Sequence, residues 1–204
     1  AFFTTKVAHK LNIPCIATAW GSDVLLVPKQ NTFFRHLVKK SLERSQIVTA
    51  DAKIMIDEMN LLSPSRDKYI HLQYGVKLIA GQPKENIIYS NRLHEKLYRI
   101  DQVISYFADF YQFYPDWKLV IAGRGSETEK LKELVADFGL QEQVEFVGWL
   151  NAEQNGNWYA RARMYVSIPE SDGTSVSMLE AMSAGCIPVV ADLPVSHEWI
   201  GDKV

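Results

Sequence analysis

Short apolar runs alternate with stretches of helical periodicity along nearly the whole chain, and this alternation constrains the fold most strongly. The runs typical of strands are residues 14–19, 46–50, 69–73, 86–90, 117–122, 144–147, 164–168 and 187–191. Helical spacing predicts helices over 1–11, 31–44, 52–59, 103–111, 131–138 and 152–162, with one more after residue 175. Regular alternation of strand and helix predicts an α/β fold with parallel, doubly wound sheets.

One stretch, residues 75–85, lacks periodicity and is rich in turn residues, including Gly75, Gly81 and Pro83. A chain of 204 residues is long enough for one large or two small domains. We therefore expect one domain over 1–80 and a second over 81–204.

The composition favours a small-molecule partner in a reducing compartment. The net charge is −2 and the basic residues are dispersed, which argues against nucleic acid. The two cysteines, Cys15 and Cys186, lie in strand-like runs and are expected to be buried thiols rather than a disulfide. Because the chain has no apolar stretch near the roughly 18 residues of a membrane span, we predict a cytoplasmic protein.

One local cluster of basic residues leaves a second partner open. Arg35, Lys39, Lys40 and Arg44 recur at helical spacing around Phe33. A solvated basic helix face explains this pattern best, and peripheral contact with the inner face of a membrane is the alternative.

Ligands of open parallel sheets bind at the carboxyl ends of the strands, so the loops that follow strands are the candidate site. Four such loops begin at Gly21, Asn91, Gly123 and Pro169 and carry small or charged residues. We expect them to converge.

Two carboxylates eight positions apart, Asp172 and Glu180, bracket a small-residue turn that leads into a helix. The turn is Gly173-Thr174-Ser175, and its hydroxyls can accept hydrogen bonds from the free amides of a helix start. Such a start favours a phosphate, and carboxylates suit hydroxyl-rich groups, which together is the layout of a sugar nucleotide. The alternative is a buried helix in which Glu180 only caps or pairs.

This segment resembles the acidic E-x7-E signature of retaining GT-B glycosyltransferases of family 4 (glycosyl transferases group 1), with Asp172 in place of the first Glu. Residues 119–125 are similar to the strand and Gly-rich turn of the family's nucleotide domain, and residues 146–150 to its loop beside the base. The resemblance implies donor-binding roles for Gly123, Arg124, Trp149 and Leu150.

The segment Ser90-Asn91-Arg92-Leu93 resembles the family's G-R-L element, whose Arg lies against the donor pyrophosphate. A guanidinium suits this role because it is always charged and forks onto phosphate oxygens. The family usually has a Lys five positions later, where this chain has Leu97, with Lys96 one position early. Either Lys96 substitutes, or the phosphate relies on Arg92 and the helix start; a surface salt bridge is the alternative role for Arg92.

On the acceptor side, Trp20-Gly21-Ser22-Asp23 resembles the family's H-G-S-D loop, with Trp20 where many relatives have His. Trp20 cannot act as an acid or base but can stack on a sugar. Asp23 can bind acceptor hydroxyls or simply cap the turn. Glu198 matches a family position near the end of the donor site.

The resemblance implies a GT-B enzyme with a partial acceptor-binding domain over 1–80 and a donor-binding domain, incomplete at its C-terminus, over 81–204. It implies transfer of a hexose, with retention and without a metal or cofactor, from a nucleoside diphosphate sugar to a glycan, lipid-linked or small-molecule hydroxyl in cell-surface polysaccharide synthesis. Asp172 and Arg92 would be catalytic and Glu180 would hold the ribose. A noncatalytic sugar-nucleotide-binding or assembly module is the alternative, supported by Leu97 and Trp20, and an epimerase or phosphorylase fits the loops less well.

Other motif readings are weaker. A dinucleotide fingerprint beginning at Gly123 would need a small third residue where the chain has Thr128. The kinase-like letters of residues 137–139 lie at the end of an amphipathic helix, where Gly139 is a candidate helix cap. The five histidines lack metal-ligand spacing.

Overall fold

A computed structural model describes residues 2–65, 67–73 and 75–201. The helices are α1 (Phe2–Lys10), α2 (Ser22–Leu25), α3 (Val27–Gln30), α4 (Thr32–Arg44), α5 (Lys53–Leu62), α6 (Ile100–Tyr111), α7 (Thr128–Asp137), α8 (Ala152–Arg161), α9 (Val176–Ser183) and α10 (Pro194–Ile200). The strands are β1 (Ile16–Thr18), β2 (Ile47–Ala50), β3 (Tyr69–His71), β4 (Glu85–Ser90), β5 (Lys118–Ala122), β6 (Val144–Gly148), β7 (Ala162–Ser167) and β8 (Ile187–Val190). The predicted α/β fold with parallel sheets is confirmed.

The described residues group by their mutual contacts into two compact units. The first unit takes in described residues of 1–75, 171–174 and 192–204, and the second takes in 76–170 and 175–191. The loop 171–174 and helix α10 therefore belong with the amino-terminal segment, although they are distant from it in sequence.

The first unit contains a parallel sheet in the order β1-β2-β3. Its core includes apolar residues of β2, α2, α4 and α5 with one residue of α10; its members include Val24, Leu42, Val48, Met55, Met59 and Val195. Helix α4 begins where the sequence predicts, because the Asn31 side chain accepts a hydrogen bond from the Phe34 amide at 3.0 Å.

The second unit contains a parallel sheet in the order β6-β5-β4-β7-β8. Helices α6 and α7 cover one part of it with a buried apolar cluster that includes Ile104, Phe107, Leu119, Ile121 and Leu131. Strand β4 lies in the centre and pairs with β5 on one edge and β7 on the other, so the strand order reverses at β4.

Two glycines end helices in the second unit as predicted. Gly185 has φ 79° after α9, with hydrogen bonds from the Cys186 amide to the Ala181 carbonyl at 2.9 Å and from the Gly185 amide to the Met182 carbonyl at 3.0 Å. Gly139 has φ 68° after α7. These are left-handed caps, which residues with a Cβ adopt poorly, so the kinase-like letters around Gly139 mark a helix end.

The cysteines differ in burial. Both thiols are free, and Cys186 is buried, but Cys15 is only half-buried. The expectation of two buried thiols is therefore wrong for Cys15, because this residue lies just before β1, an edge strand whose own residues are exposed or half-buried.

Candidate functional site

The loops after β4 and β7 leave the sheet of the second unit side by side. Because β4 pairs with both β5 and β7, the strand order reverses here. Open α/β sheets bind ligands at such a reversal, beyond the carboxyl ends of the strands. The loop after β4 carries Arg92, and the segment after β7 leads to Ser175.

Arg92 and Ser175 are in direct contact. The Arg92 guanidinium donates a hydrogen bond from Nη1 to Ser175 Oγ at 2.9 Å. Ser175 is also the N-cap of α9, since its Oγ accepts from the Met178 amide at 3.3 Å. The Arg92 Cζ atom lies 4.5 Å from the centre of the Tyr98 ring, within cation–π range. A fixed positive charge therefore lies at the start of α9, where the helix dipole also attracts anions.

A buried polar network lies beneath the Arg92 loop. Asn91 Nδ2 donates to Tyr159 Oη at 2.7 Å and to Asn155 Oδ1 at 2.9 Å, and Asn91 Oδ1 accepts from Tyr165 Oη at 3.0 Å. Tyr89 Oη donates to Asn155 Oδ1 at 2.6 Å. Buried tyrosine hydroxyls need such partners, and the network fixes the residue directly before Arg92.

Glu180 lies in α9, half-buried, beside this network. Burial is the main cause that raises the pKa of the Tyr159 hydroxyl, and the charges of Tyr165 and Glu180 raise it further. The pKa of the Tyr89 hydroxyl is raised by the same causes, burial first and then the charges of Tyr165 and Glu180. The tyrosines therefore stay neutral donors, and the Glu180 carboxylate projects from a helix whose start is held by Arg92 through Ser175.

Gly123 and Gly125 make room for the loop that carries Arg92. An ideal Cβ at Gly123 would lie 2.5 Å from the Arg92 carbonyl oxygen, and Gly123 has φ 116°. A Cβ at Gly125 would overlap the His94 carbonyl and lie 2.7 Å from Glu95 Oε1. Close packing of two loops thus accounts for both glycines, and the donor-binding role that the resemblance implies for Gly123 stays a prediction.

Arg124 and Trp149 form an exposed cationic and aromatic surface. The Arg124 Cζ atom lies 5.5 Å from the Trp149 ring centre, and the Trp149 side chain is 63% exposed. The Gly123 amide donates to the Gly148 carbonyl at 2.7 Å and joins the two loops. The neighbouring Leu150 carbonyl accepts from Asn155 Nδ2 at 3.3 Å. A flat surface of this kind suits a nucleobase.

Lys96 lines a cleft that is separate from the contact between Arg92 and Ser175. It begins a 3₁₀ turn, Lys96–Tyr98, and lines a cleft of about 480 Å³ together with Arg99, Lys130 and Glu170. The Leu97 carbonyl accepts from the Glu170 amide at 2.9 Å, so its main chain is docked on the segment after β7. The residue of this turn that packs on Arg92 is Tyr98, which sequence reasoning missed.

In the first unit, the loop 171–174 is held by closely packed main chain. An ideal Cβ at Gly21 would lie 2.9 Å from the Gly173 amide nitrogen, and Gly21 has φ 115°. Thr174 Oγ1 donates to the Asp51 carbonyl at 2.8 Å and accepts from Trp199 Nε1 at 3.3 Å. The Thr174 side chain therefore anchors the loop, and Asp172 is half-buried within it.

The loop containing Trp20 is a capped turn. Asp23 Oδ1 accepts from the Trp20 amide at 3.0 Å, the contact expected of a turn-capping aspartate. The Trp20 side chain is 67% exposed, and its stacking on a sugar stays a prediction.

Two further carboxylates lie in the first unit: Glu198, which the resemblance places near the end of the donor site, and Asp51, which sequence reasoning missed. Glu198 of α10 accepts from the Lys53 amide at 2.8 Å and the Ile54 amide at 3.3 Å, so it caps α5. Asp51 follows β2 and is 3% exposed beside the 171–174 loop. Its place at the carboxyl end of a strand was a signal of the same kind as the four loops singled out from the sequence.

Two family models match the chain. Residues 76–204 match the model described as Glycosyl transferases group 1, and residues 1–52 match Glycosyl transferase 4-like. The chain belongs to the glycosyl transferases group 1 family. The resemblance inferred from the motifs is confirmed.

Two curated relatives are bacterial mannosyltransferases. The GDP-mannose:cellobiosyl-diphosphopolyprenol alpha-mannosyltransferase of Xanthomonas oryzae pv. oryzae is 29% identical over 140 residues, which cover 66% of this chain and 37% of the relative. The O-antigen chain mannosyltransferase RfbU of Salmonella typhimurium is 22% identical and matches 83% of this chain and 48% of the relative. The chain thus spans less than half the length of these relatives.

Solved structures share the fold. Anabaena Alr3699/HepE in complex with UDP-glucose has a TM-score of 0.82 at 13% identity, covering 96% of this chain and 58% of that one. TarM of S. aureus has a TM-score of 0.76 at 17% identity, covering 90% of this chain and 38% of that one. The fold is GT-B.

The described residues contain neither a cluster of metal ligands nor a helix able to span a membrane. No three His, Cys, Asp or Glu side chains in residues 2–65, 67–73 and 75–201 are grouped so that they could hold a metal ion. In the same part of the chain, every helix is too short or too polar to cross a bilayer.

Proposed function

We propose that the protein transfers a hexose from a nucleoside diphosphate sugar to a hydroxyl acceptor, with retention of anomeric configuration and without a metal ion. The observation that carries this proposal is the contact between Arg92 and Ser175 at 2.9 Å. This contact fixes a guanidinium at the start of α9. The guanidinium and the positive end of the helix dipole can then face the same diphosphate.

The donor is held by two kinds of residue: positively charged or amide groups that bind the diphosphate, and carboxylates that bind hydroxyl groups. Arg92 and the amides around Ser175 bind the diphosphate, and Glu180 accepts hydrogen bonds from the ribose hydroxyls. The base lies on the surface formed by Arg124 and Trp149, with the main chain at Leu150 available for hydrogen bonds. Asp172 accepts from a hydroxyl of the donor sugar.

Catalysis in this proposal is electrostatic. Negative charge grows on the diphosphate as the bond to the sugar breaks, and Arg92 stabilises that charge more strongly in the transition state than in the bound donor. The leaving phosphate accepts the proton of the incoming hydroxyl on the same face of the sugar, which gives retention. No protein nucleophile takes part.

Nucleotide binding is the first test. The protein is titrated by calorimetry with UDP, GDP and ADP in the presence of EDTA. Saturable binding of one nucleotide, lost in Glu180→Ala and kept in Glu129→Ala, supports the donor site. Glu129 is the matched control because it is an exposed helical carboxylate of the same unit, paired with Lys132 at 2.9 Å. Equal binding by both variants would overturn the assignment of Glu180.

Sugar transfer separates the enzyme from a noncatalytic binding module. The sugar nucleotide of the bound base is incubated with the full-length protein, and slow release of free sugar is followed by NMR, which also gives its anomeric configuration. Release of the same anomer with EDTA present supports retention without a metal. Tight binding without any release would favour the binding module.

We also propose that α4 contacts an anionic membrane surface. Phe33 is 64% exposed beside the exposed Arg35 and Lys39, whereas Lys40 is paired with Glu43 at 2.7 Å and Arg44 packs on Phe2. Cosedimentation with phosphatidylglycerol vesicles, but not phosphatidylcholine vesicles, should be lost when Arg35 and Lys39 are both changed to Glu. The same charge reversal at Lys132 and Lys130 of the second unit serves as the control.

A further inference from the structure

A buried carboxyl group lies against the loop 171–174, and the proposed chemistry makes no use of it. Asp51 is 3% exposed, and among the described residues its Oδ1 atom has no hydrogen-bond partner. A buried polar oxygen without a partner destabilises the folded state, and more so when it is charged. Because this carboxyl group destabilises the fold, a role in function would explain its presence.

Asp51 contacts the loop through its main chain and its side chain. Its carbonyl accepts from Thr174 Oγ1 at 2.8 Å. An ideal Cβ at Gly173 would lie 3.4 Å from Asp51 Oδ1. The two residues that follow Asp172 in the chain are therefore both packed on Asp51.

The electrostatics of this position are unfavourable. Burial is the main cause that raises the pKa of Asp51, and the charge of Asp172 raises it further. The Thr174 amide and His71 act in the opposite direction, and Glu198 lies 3.9 Å from the His71 ring. An ionised Asp51 thus weakens the fold of the first unit, so stability alone does not account for it.

We propose that Asp51 is a positioning residue that holds Gly173 and Thr174 so that Asp172 presents its carboxylate to the donor sugar. The inference rests on the proposed function, because Asp51 acts through Asp172, to which that function gives a role. Asp51 itself does not touch the substrate. The loop is anchored at the carboxyl end of β2, and the anchor is a residue whose replacement would relieve the burial of an unpartnered carboxyl oxygen.

This role predicts that stability and function change in opposite directions. Asp51→Asn removes the buried charge beside Asp172 and keeps the size of the side chain. We expect a melting temperature at pH 7.5 equal to or above that of the wild type, with kcat at least tenfold lower. A residue that serves the fold alone would lower the melting temperature and leave kcat per folded molecule unchanged.

A binding measurement tests the same idea without turnover. In the wild type, the sugar nucleotide should bind more tightly than its nucleoside diphosphate, because Asp172 adds a contact to the sugar. In Asp51→Asn, the ratio of the affinity for the sugar nucleotide to that for the nucleoside diphosphate should fall to about one, while the affinity for the nucleoside diphosphate stays the same. Asp57→Asn, an exposed aspartate of α5, is the matched control and should change neither the ratio nor kcat.

The outcomes separate the two proposals. If the wild type binds no nucleotide, the proposed function fails. If the wild type binds the sugar nucleotide more tightly and Asp51→Asn keeps both the ratio and kcat, only the role of Asp51 is overturned. If Asp51→Asn does not fold, Thr174→Val is used instead; it removes the 2.8 Å hydrogen bond to the Asp51 carbonyl and should lower the ratio, while an unchanged ratio would overturn the inference.

Discussion

The Arg92 side chain reaches from the loop after β4 to the first residue of α9, where its Nη1 atom donates to Ser175 Oγ at 2.9 Å. Ser175 thereby has two functions, because the same oxygen accepts from the Met178 amide and caps the helix. Any change at either residue acts on both the charge at the helix start and the order of the first turn.

Replacing Arg92 by Lys should lower kcat by about 100-fold, the typical loss when one preorganised donor to a developing charge is removed. Lys keeps the charge but cannot hold Ser175 and a phosphate with one planar fork. Steady-state sugar release measures the effect. Arg161→Lys is the control, since Arg161 pairs with Glu85 at 2.6 Å at the start of β4, away from the loops that carry Arg92 and Ser175; equal loss in both variants would contradict the role of Arg92.

Replacing Tyr98 by Leu should lower kcat by roughly 2- to 30-fold, the range that corresponds to a cation–π contact of about 0.5–2 kcal/mol. The Tyr98 ring centre lies 4.5 Å from the Arg92 guanidinium carbon, and Leu provides no π face. Tyr98→Phe keeps the ring and should retain wild-type kcat. A Phe variant as slow as the Leu variant would show that the hydroxyl, and not the ring, is required.

The two acidic residues of the motif should separate binding from turnover. Glu180→Ala should weaken nucleotide binding, because the ribose loses its acceptor. Asp172→Ala should leave nucleotide binding intact and nearly abolish sugar release. Calorimetry and sugar release on the same preparations test both, and near-normal constants in both variants would refute the assignment of the motif.

Two glycine substitutions should change stability in opposite directions. Gly125→Ala should lower the free energy of unfolding by about 1–3 kcal/mol, since its Cβ would overlap the His94 carbonyl. Gly156 lies in α8 with nothing within 4 Å of an ideal Cβ, so Gly156→Ala should raise it by roughly 0.5–1 kcal/mol. Urea unfolding measures both; a stable Gly125→Ala would show that the loop can yield.

Acid should destabilise the protein in part through His94. Burial is the main cause that lowers the pKa of His94 from 6.5, and Nδ1 bonds Thr128 Oγ1 at 2.9 Å. The unfolded state therefore binds the proton first, so stability falls as the pH drops below about 6.5. His94→Asn removes this contribution, and the melting-temperature difference between wild type and variant should shrink from pH 7.5 to 5.5. A constant difference would exclude His94 as a cause.

The strands, most helices and the family were accessible from the sequence because they depend on local patterns. The start of α4 near residue 31 and the cap at Gly185 depend on one residue and its neighbours, so both were predicted correctly. The site was accessible only where a motif was contiguous, as from Asp172 to Glu180. The individual site assignments stay predictions until the variants above are measured.

The residues that sequence reasoning missed act across long separations. Asp51 meets Thr174 more than a hundred positions along the chain, and the partners of Asn91 come from β7 and α8. No periodicity records such contacts. For Tyr98, the family pattern directed attention to the missing Lys at position 97 and away from the aromatic ring that follows it.

The Glu198 cap on α5 has a consequence for synthesis of the chain. Lys53 and Glu198 are 145 positions apart and belong to the same unit, so α5 cannot gain this cap until the residues of the second unit, which lie between them in sequence, have been synthesised. Contacts of such separation slow folding. The first unit therefore gains this contact only after the second unit has been synthesised, and its incomplete packing during that interval favours misassociation.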